Sequence, residues 1–335
     1  MNPVGDVNTI AADIGTETLK IGYCGALHPT IFNSTRQNPN YESPVLHSVI
    51  SSPSYYLSLL TSSLSCNDPL VLAVNYEEKM VVKKNIVGYL LDKKYTNGIL
   101  LVPSNLMDMY SHGKSSGIVV NMSGGSTSVS TIIEGNVTHY YSVPIGGFDL
   151  TQKFRKYLNE EDLVVRGYKS NEKGDNDAKF AFLKDELCRE IKESVIEVKS
   201  ERNSETFYEL PSGKSIKFGN ERYELADYLL EKSNLIETVR SLIDKNDQDV
   251  RHILVNNIML CGMGVINGIS ERLVSELSKT YSPSKIRIYW EKKVFSTFFG
   301  ASVVGSVGMA KNMFITQADY EECGESILER KNVMW

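Results

Sequence analysis

Hydrophobic and polar positions follow a layout that recurs about a hundred residues along the chain. Between residues 9 and 25 an apolar run leads into a polar, glycine-containing turn and then into Leu19, Ile21 and Tyr23 at alternate positions. That pattern predicts a β-hairpin. Residues 117–134 repeat it, with an apolar strand, a small-residue turn at 123–126 and a return strand, so the chain reads as two related halves. Between the hairpins, residues 70–74 read as a buried strand, 79–94 as a helix and 98–102 as a second strand, an order that predicts a parallel sheet covered by helices. Farther on, Leu183, Leu187, Ile191 and Val195 recur every fourth position and mark the buried stripe of a helix. A strand at 257–260, a glycine-rich turn and helices near 265–279 and 302–313 complete the pattern. Residues 170–177, 199–205 and 244–251 read as polar connectors. Ten serines with Pro39, Pro44 and Pro53 in residues 34–65 favour loops there over a packed unit.

A length of 335 residues suits two lobes better than one core. With 41% hydrophobic and 23% charged residues the composition is that of an ordinary globular protein, and a formal charge of −5 argues against a phosphate-tracking nucleic-acid binder. The start of the chain lacks the pattern of a secretory signal, and no stretch reaches the length of a membrane span, so a soluble intracellular protein with no membrane partner is expected. Five scattered cysteines without a CxxC pair support neither a disulfide framework nor a zinc site. The five histidines, His28, His47, His112, His139 and His252, lack metal-ligand spacing and are read as loop or surface residues.

Candidate chemistry gathers at the turns. Asp13 at the end of the first strand is placed to hold a metal ion through water. The backbone N–H groups of Gly15 and Thr16 can approach phosphate oxygens, and Lys20 supplies a mobile positive charge. Alone, such a turn is more often just a turn. Ser123, Gly124 and Gly125 offer a second set of donors, and Gly262 after the strand at 257–260 a third. Three small-residue turns after core strands point jointly to a nucleotide cleft.

These residues carry a resemblance to the actin and actin-related family. Residues 12–16 with Lys20, Ile21, Gly22 and Tyr23 resemble its first phosphate loop, and residues 117–126 lie where the second belongs. Residues 144–151, 208–214 with 219–223, and 314–331 are similar to later family segments. The resemblance covers the chain except about 33–67. It implies an α/β fold, the actin-like ATPase fold, with two related lobes of mixed sheet and flanking helices around a central nucleotide cleft. It also implies a first lobe of residues 1–116 and 300–335 and a second of 117–299 with a nucleotide-bridging segment near 150–230. The implied ligand is ATP or ADP with Mg2+, contacted by Asp13, Gly15, Thr16, Lys20 and the 123–125 turn. Lys192 and Glu193 fall at the ribose and adenine, and Gly262 at the adenosine.

Departures from the family pattern are as informative. The water-orienting glutamine corresponds to Ser104, two acidic positions around the second loop to Asn121 and Gly124, and the following histidine to Ser128. The basic residue near the adenine corresponds to Val294, with Lys293 beside it. Positioning of the attacking water is worth orders of magnitude in rate, so this set predicts that hydrolysis is lost and that the hold on Mg2+ is weakened. The short 33–67 interval replaces the small filament-gripping subdomain, and residues 229–234 read as a trimmed connector. The resemblance therefore implies a non-polymerising structural subunit or filament-end cap, partnered by actin, other actin-related subunits and complex-specific proteins. A cytoplasmic, cytoskeletal complex of the dynactin type is expected, with a nuclear chromatin-remodelling or histone-acetyltransferase complex as the alternative. Tyr55, Tyr56 and Trp335 are candidate interface anchors.

Overall fold

A computed structural model describes residues 8–38, 40–64, 68–159, 163, 176–199, 205–210, 212–262, 266–290 and 295–331. In chain order, β1 (Ile10–Ile14) and β2 (Thr18–Tyr23) form the first hairpin, with β3 (Ile31–Ser34), β4 (Val45–Leu46), β5 (Val49–Ile50), α1 (Pro53–Ser62), β6 (Leu70–Val74), α2 (Met80–Asp92), β7 (Gly98–Pro103) and α3 (Ser104–Ser111) following. The next group comprises β8 (Gly117–Met122), β9 (Thr127–Ile133), β10 (Asn136–Val143), α4 (Gly147–Phe154), α5 (Asn176–Val195), β11 (Thr206–Glu209), β12 (Ser215–Phe218), α6 (Glu221–Ser233), α7 (Leu235–Asp244), α8 (Gln248–Val255), β13 (Ile258–Gly262), α9 (Ile269–Leu277) and β14 (Ile288–Trp290). The chain then returns through α10 (Ser296–Ser306), β15 (Ile315–Thr316), α11 (Gln317–Cys323) and α12 (Ile327–Arg330).

Two large sheets result, in the orders β15-β7-β6-β1-β2-β3 and β10-β9-β8-β13-β14, beside the two-stranded β4-β5 and β11-β12. Each large sheet has an antiparallel three-strand meander whose first strand pairs in parallel with a fourth, itself parallel to a fifth. The two halves thus share one topology, as the repeated hairpin predicts. Strands β1 and β6 are buried along their whole length, which is why they read as apolar runs, broken in β1 only by Asp13. Between the sheets, Val71, Leu100, Met107, Val119, Met259, Phe298 and Ala301 form one buried cluster, with α3 and α10 in contact. At Gly300 a Cβ would come within 1.9 Å of the Met107 carbonyl oxygen. Gly300→Ala is therefore expected to force α10 away from α3 and cost about 1–3 kcal/mol, read as a lowered denaturation midpoint in urea.

Several expectations need correction. The serine-rich interval is packed: Tyr56, Leu57, Leu59 and Leu60 of α1 are buried, and a short β4–β5 hairpin precedes them, with residues 39 and 65–67 outside the described set. Serine and proline had outweighed the four apolar side chains on one helix face. Tyr56 is core, 1% exposed, and the Tyr55 hydroxyl donates to the Thr35 carbonyl (2.9 Å), so neither is a free anchor; Trp335 lies outside the described residues. Residues 229–234 are the end of α6 and a one-residue left-handed joint at Asn234 (φ 47°), not a connector. Helix α8 takes up half of the 244–251 connector. The helix placed at 302–313 begins at Ser296 and ends at Ser306, where Val307 turns extended. Most of the connectors at 170–177 and 199–205, and Lys293 and Val294, lie outside the described residues.

Candidate functional site

The first hairpin register sets Asp13 directly opposite Lys20. The Lys20 ammonium meets the Asp13 carboxylate at 2.7 Å, with both side chains only about a tenth exposed. The turn between them is anchored from the residue after β3, where the Thr35 hydroxyl donates to the Thr16 carbonyl (2.8 Å) and the Thr35 N–H to the Glu17 carbonyl (3.1 Å). Across the cleft, the Ser123 N–H bonds the Ser126 carbonyl (2.9 Å) and closes the second turn. The start of α4 seats on that turn, its Gly147 and Phe148 N–H groups donating to the Ser123 (3.0 Å) and Gly124 (2.8 Å) carbonyls. A side chain at Gly146 would collide with the same turn at 2.6 Å.

These elements enclose a cavity of about 460 Å³, within the usual range for a small-molecule site. Asp13, Gly15, Thr16, Lys20, Ser104, Asn121, Ser123, Gly124, Ser128, Lys192, Glu193 and Gly262 all line it. Gly125 is the predicted residue that does not; a Cβ there would lie 2.2 Å from the Thr16 hydroxyl. The turns on the two lobes therefore touch. Lys192 is 1% exposed, and its ammonium donates to the Gly147 carbonyl and the Thr151 hydroxyl, each at 2.9 Å. Burial pushes its pKa down, while Glu17 and Glu193 pull against that. Burial also opposes the charge of Arg189, but Glu186, Glu17 and Glu193 together outweigh it.

Two acidic residues at and behind the cleft have no role in the sequence reading. Glu17 sits in the first turn, its carboxylate against Gly124: a Cβ on that glycine would lie 2.8 Å from Glu17 Oε2. An acid in a turn otherwise read as a phosphate cradle was the available signal. Asp108 is fully buried on α3, accepting from the hydroxyls of Ser296 (2.7 Å) and Thr297 (2.8 Å) and from the Asn121 amide. Burial raises its pKa to about 6 against the pull of those three donors. The signal was a lone acid within Leu106-Met107-Asp108-Met109. Asn121 is thus tied back to a carboxylate behind the cleft, leaving its Oδ1 and the Thr16 Oγ1 buried without a partner among the described residues.

Twin lobes closing on a cleft through paired small-residue turns define a protein of the actin-like ATPase fold. A family model described as Actin matches residues 33–333, and the chain belongs to the actin family. Its similar relatives include Actin-related protein 4 from Oryza sativa subsp. indica and from subsp. japonica, each 28% identical over 314 residues, covering 78% of this chain and 71% of the relative. The matched span takes in residues 33–67, which the resemblance had left out, and begins after the first turn.

The cleft residues do not fit a nucleoside polyphosphate with Mg2+. Lys20 is matched to Asp13 instead of standing open to phosphate, and Asp13 is matched to Lys20 instead of to a hydrated cation. Glu17 places a negative charge between the turns where phosphate oxygens would have to enter. Among the described lining residues, the acidic Asp13, Glu17, Glu78 and Glu193 offset the basic Lys20, Arg189 and Lys192, so the lining supplies no net positive charge for a polyphosphate.

Proposed function

We propose that this chain is a structural, non-hydrolysing actin-related subunit of a multiprotein complex and does not assemble into a homopolymer. The observation that carries the reading is the second turn, where positions that would be acidic in a hydrolytic site are Asn121, locked onto Asp108, and Gly124, pressed against Glu17. Ser104 and Ser128, at the positions of a water-orienting glutamine and a histidine, offer only short hydroxyls toward the cleft. Such a site keeps the fold and gives up the chemistry.

The likeness to Actin-related protein 4 favours a nuclear chromatin-remodelling or histone-acetyltransferase complex over the cytoskeletal complex expected from the shortened insertion. No described helix is long and apolar enough to cross a membrane. Mild affinity purification of the tagged chain from its own cells tests the assignment. Subunits of a remodelling or acetyltransferase complex support it, dynactin components would move it to the cytoskeleton, and filaments of this chain alone would overturn both.

A further inference from the structure

We propose that this chain supplies from its own residues the bridge that joins the two lobes, with Glu17 at the place of a phosphate inside the cleft and the β4–β5 hairpin bolted across its mouth. The inference rests on the non-hydrolysing reading and adds a cause: side chains of this chain make the contacts between the lobes.

The inner half is the turn itself. In a cleft that waits for an anion, two sets of small residues stand apart and their N–H groups converge on empty space. Here they are already in contact, with the Thr16 side chain against Gly125 and the Glu17 carboxylate against Gly124. Glu17 of the first lobe and Arg189 and Lys192 of α5 line the same cavity, and the charge of Glu17 favours the charged form of both. Glu17 is accordingly a specificity-determining residue, excluding phosphate-bearing ligands by charge and by occupancy.

The outer half comes from the shortened insertion. The tip of the β4–β5 hairpin is His47-Ser48, and both residues are left-handed (φ 48° and 64°), a conformation that a two-residue turn normally assigns to asparagine and glycine. The strained tip lies against the opposite lobe. The His47 Nδ1–H donates to the Gly125 carbonyl (3.2 Å), and the Ser48 hydroxyl bonds those of Ser126 (2.6 Å) and Ser123 (3.2 Å). Backbone strain maintained at a point of contact is a mark of a selected conformation. The hairpin is held from behind by Glu78, whose Oε2 accepts from the Ile50 N–H (2.9 Å). Two further contacts flank it: Arg36 lies over the Phe148 ring (4.4 Å) and 3.6 Å from Asp185, and Tyr41 stacks on Phe182 at 5.0 Å. Apart from the Glu78–Ile50 bond, each of these pairs joins the first lobe to α4, α5 or the second turn.

Hydrogen–deuterium exchange of the full chain, read at residues 14–18 and 123–126 with and without about 1 mM Mg-ATP, tests the bridge. Both turns are expected to exchange slowly without nucleotide and to change less than about twofold on its addition. Ser48→Gly relieves the strained turn and removes the bolt, so exchange at 123–126 should rise about tenfold while the sheets stay protected. Glu17→Gly, checked for folding by circular dichroism, should acquire calorimetric binding of Mg-ATP with Kd of about 1 mM or tighter, absent in wild type. Turns that exchange freely until Mg-ATP protects them would overturn the proposal, as would a folded Glu17→Gly chain that binds no better than wild type. ATP turnover or an unexpected set of partners would instead defeat the non-hydrolysing reading, so the two failures are distinguishable.

Discussion

Asp108→Ala should lower the stability of the protein by about 3 kcal/mol, because the hydroxyls of Ser296 and Thr297 and the amide of Asn121 all lose their shared acceptor in a dry site. For a 335-residue chain that corresponds to a fall of about 4 °C in the thermal midpoint. Asp108→Asn should behave differently. Its carbonyl keeps the two hydroxyl donors, and Asn121, whose Oδ1 has no partner among the described residues, can turn that oxygen to accept from the new amide. The pH dependence separates the cases. Burial raises the folded pKa of Asp108 from 3.8 to about 6, so between those values the unfolded chain has released a proton that the folded one still holds. Wild-type stability from this group is greatest below about pH 4 and falls as the pH rises to about 6. Followed over that window, the Asn variant should gain on wild type by about 3 kcal/mol; parallel curves would show that the carboxyl is not buried as described.

Lys20→Met should cost about 3–5 kcal/mol, as expected when a buried carboxylate loses its partner. Adding Asp13→Leu should restore most of that loss, since an apolar pair of similar volume avoids the desolvation of both charges. The two variants and their combination form a cycle whose coupling energy measures the pair. A lysine waiting for phosphate in an open cleft would give a cost below about 1 kcal/mol and no rescue. The cycle therefore distinguishes the geometry found here from the phosphate role that the motif implied.

Where the sequence was legible, one local signal agreed with one local structure. Strands β6 and β7 coincide with uninterrupted apolar runs and β1 and β8 with runs broken only by Asp13 and Asn121, because nearly every position in them is buried, and α5 follows its four-residue stripe. The shared topology of the sheets was visible as a repeated hairpin. What escaped reading depends on partners distant in sequence. The His47-Ser48 turn has no asparagine–glycine signature, and it is placed by Glu78 behind it and Ser126 in front. The family resemblance gives Lys192 a nucleotide role, yet its ammonium is satisfied by α4, 45 residues upstream at Gly147. Glu17 was passed over because Gly15, Thr16 and Lys20 around it match a phosphate turn. The chemistry of that turn is decided by which of its side chains faces Gly124, and only the folded arrangement of the two lobes gives that.

The central claim is a scaffold that keeps the actin fold without a nucleotide cycle. Its most direct test is the nucleotide content of the chain isolated gently from its own cells, released by acid denaturation and separated by chromatography. A cleft bridged by Glu17 and bolted by the β4–β5 hairpin should release no stoichiometric ATP or ADP, whereas one adenine nucleotide per chain would contradict the account.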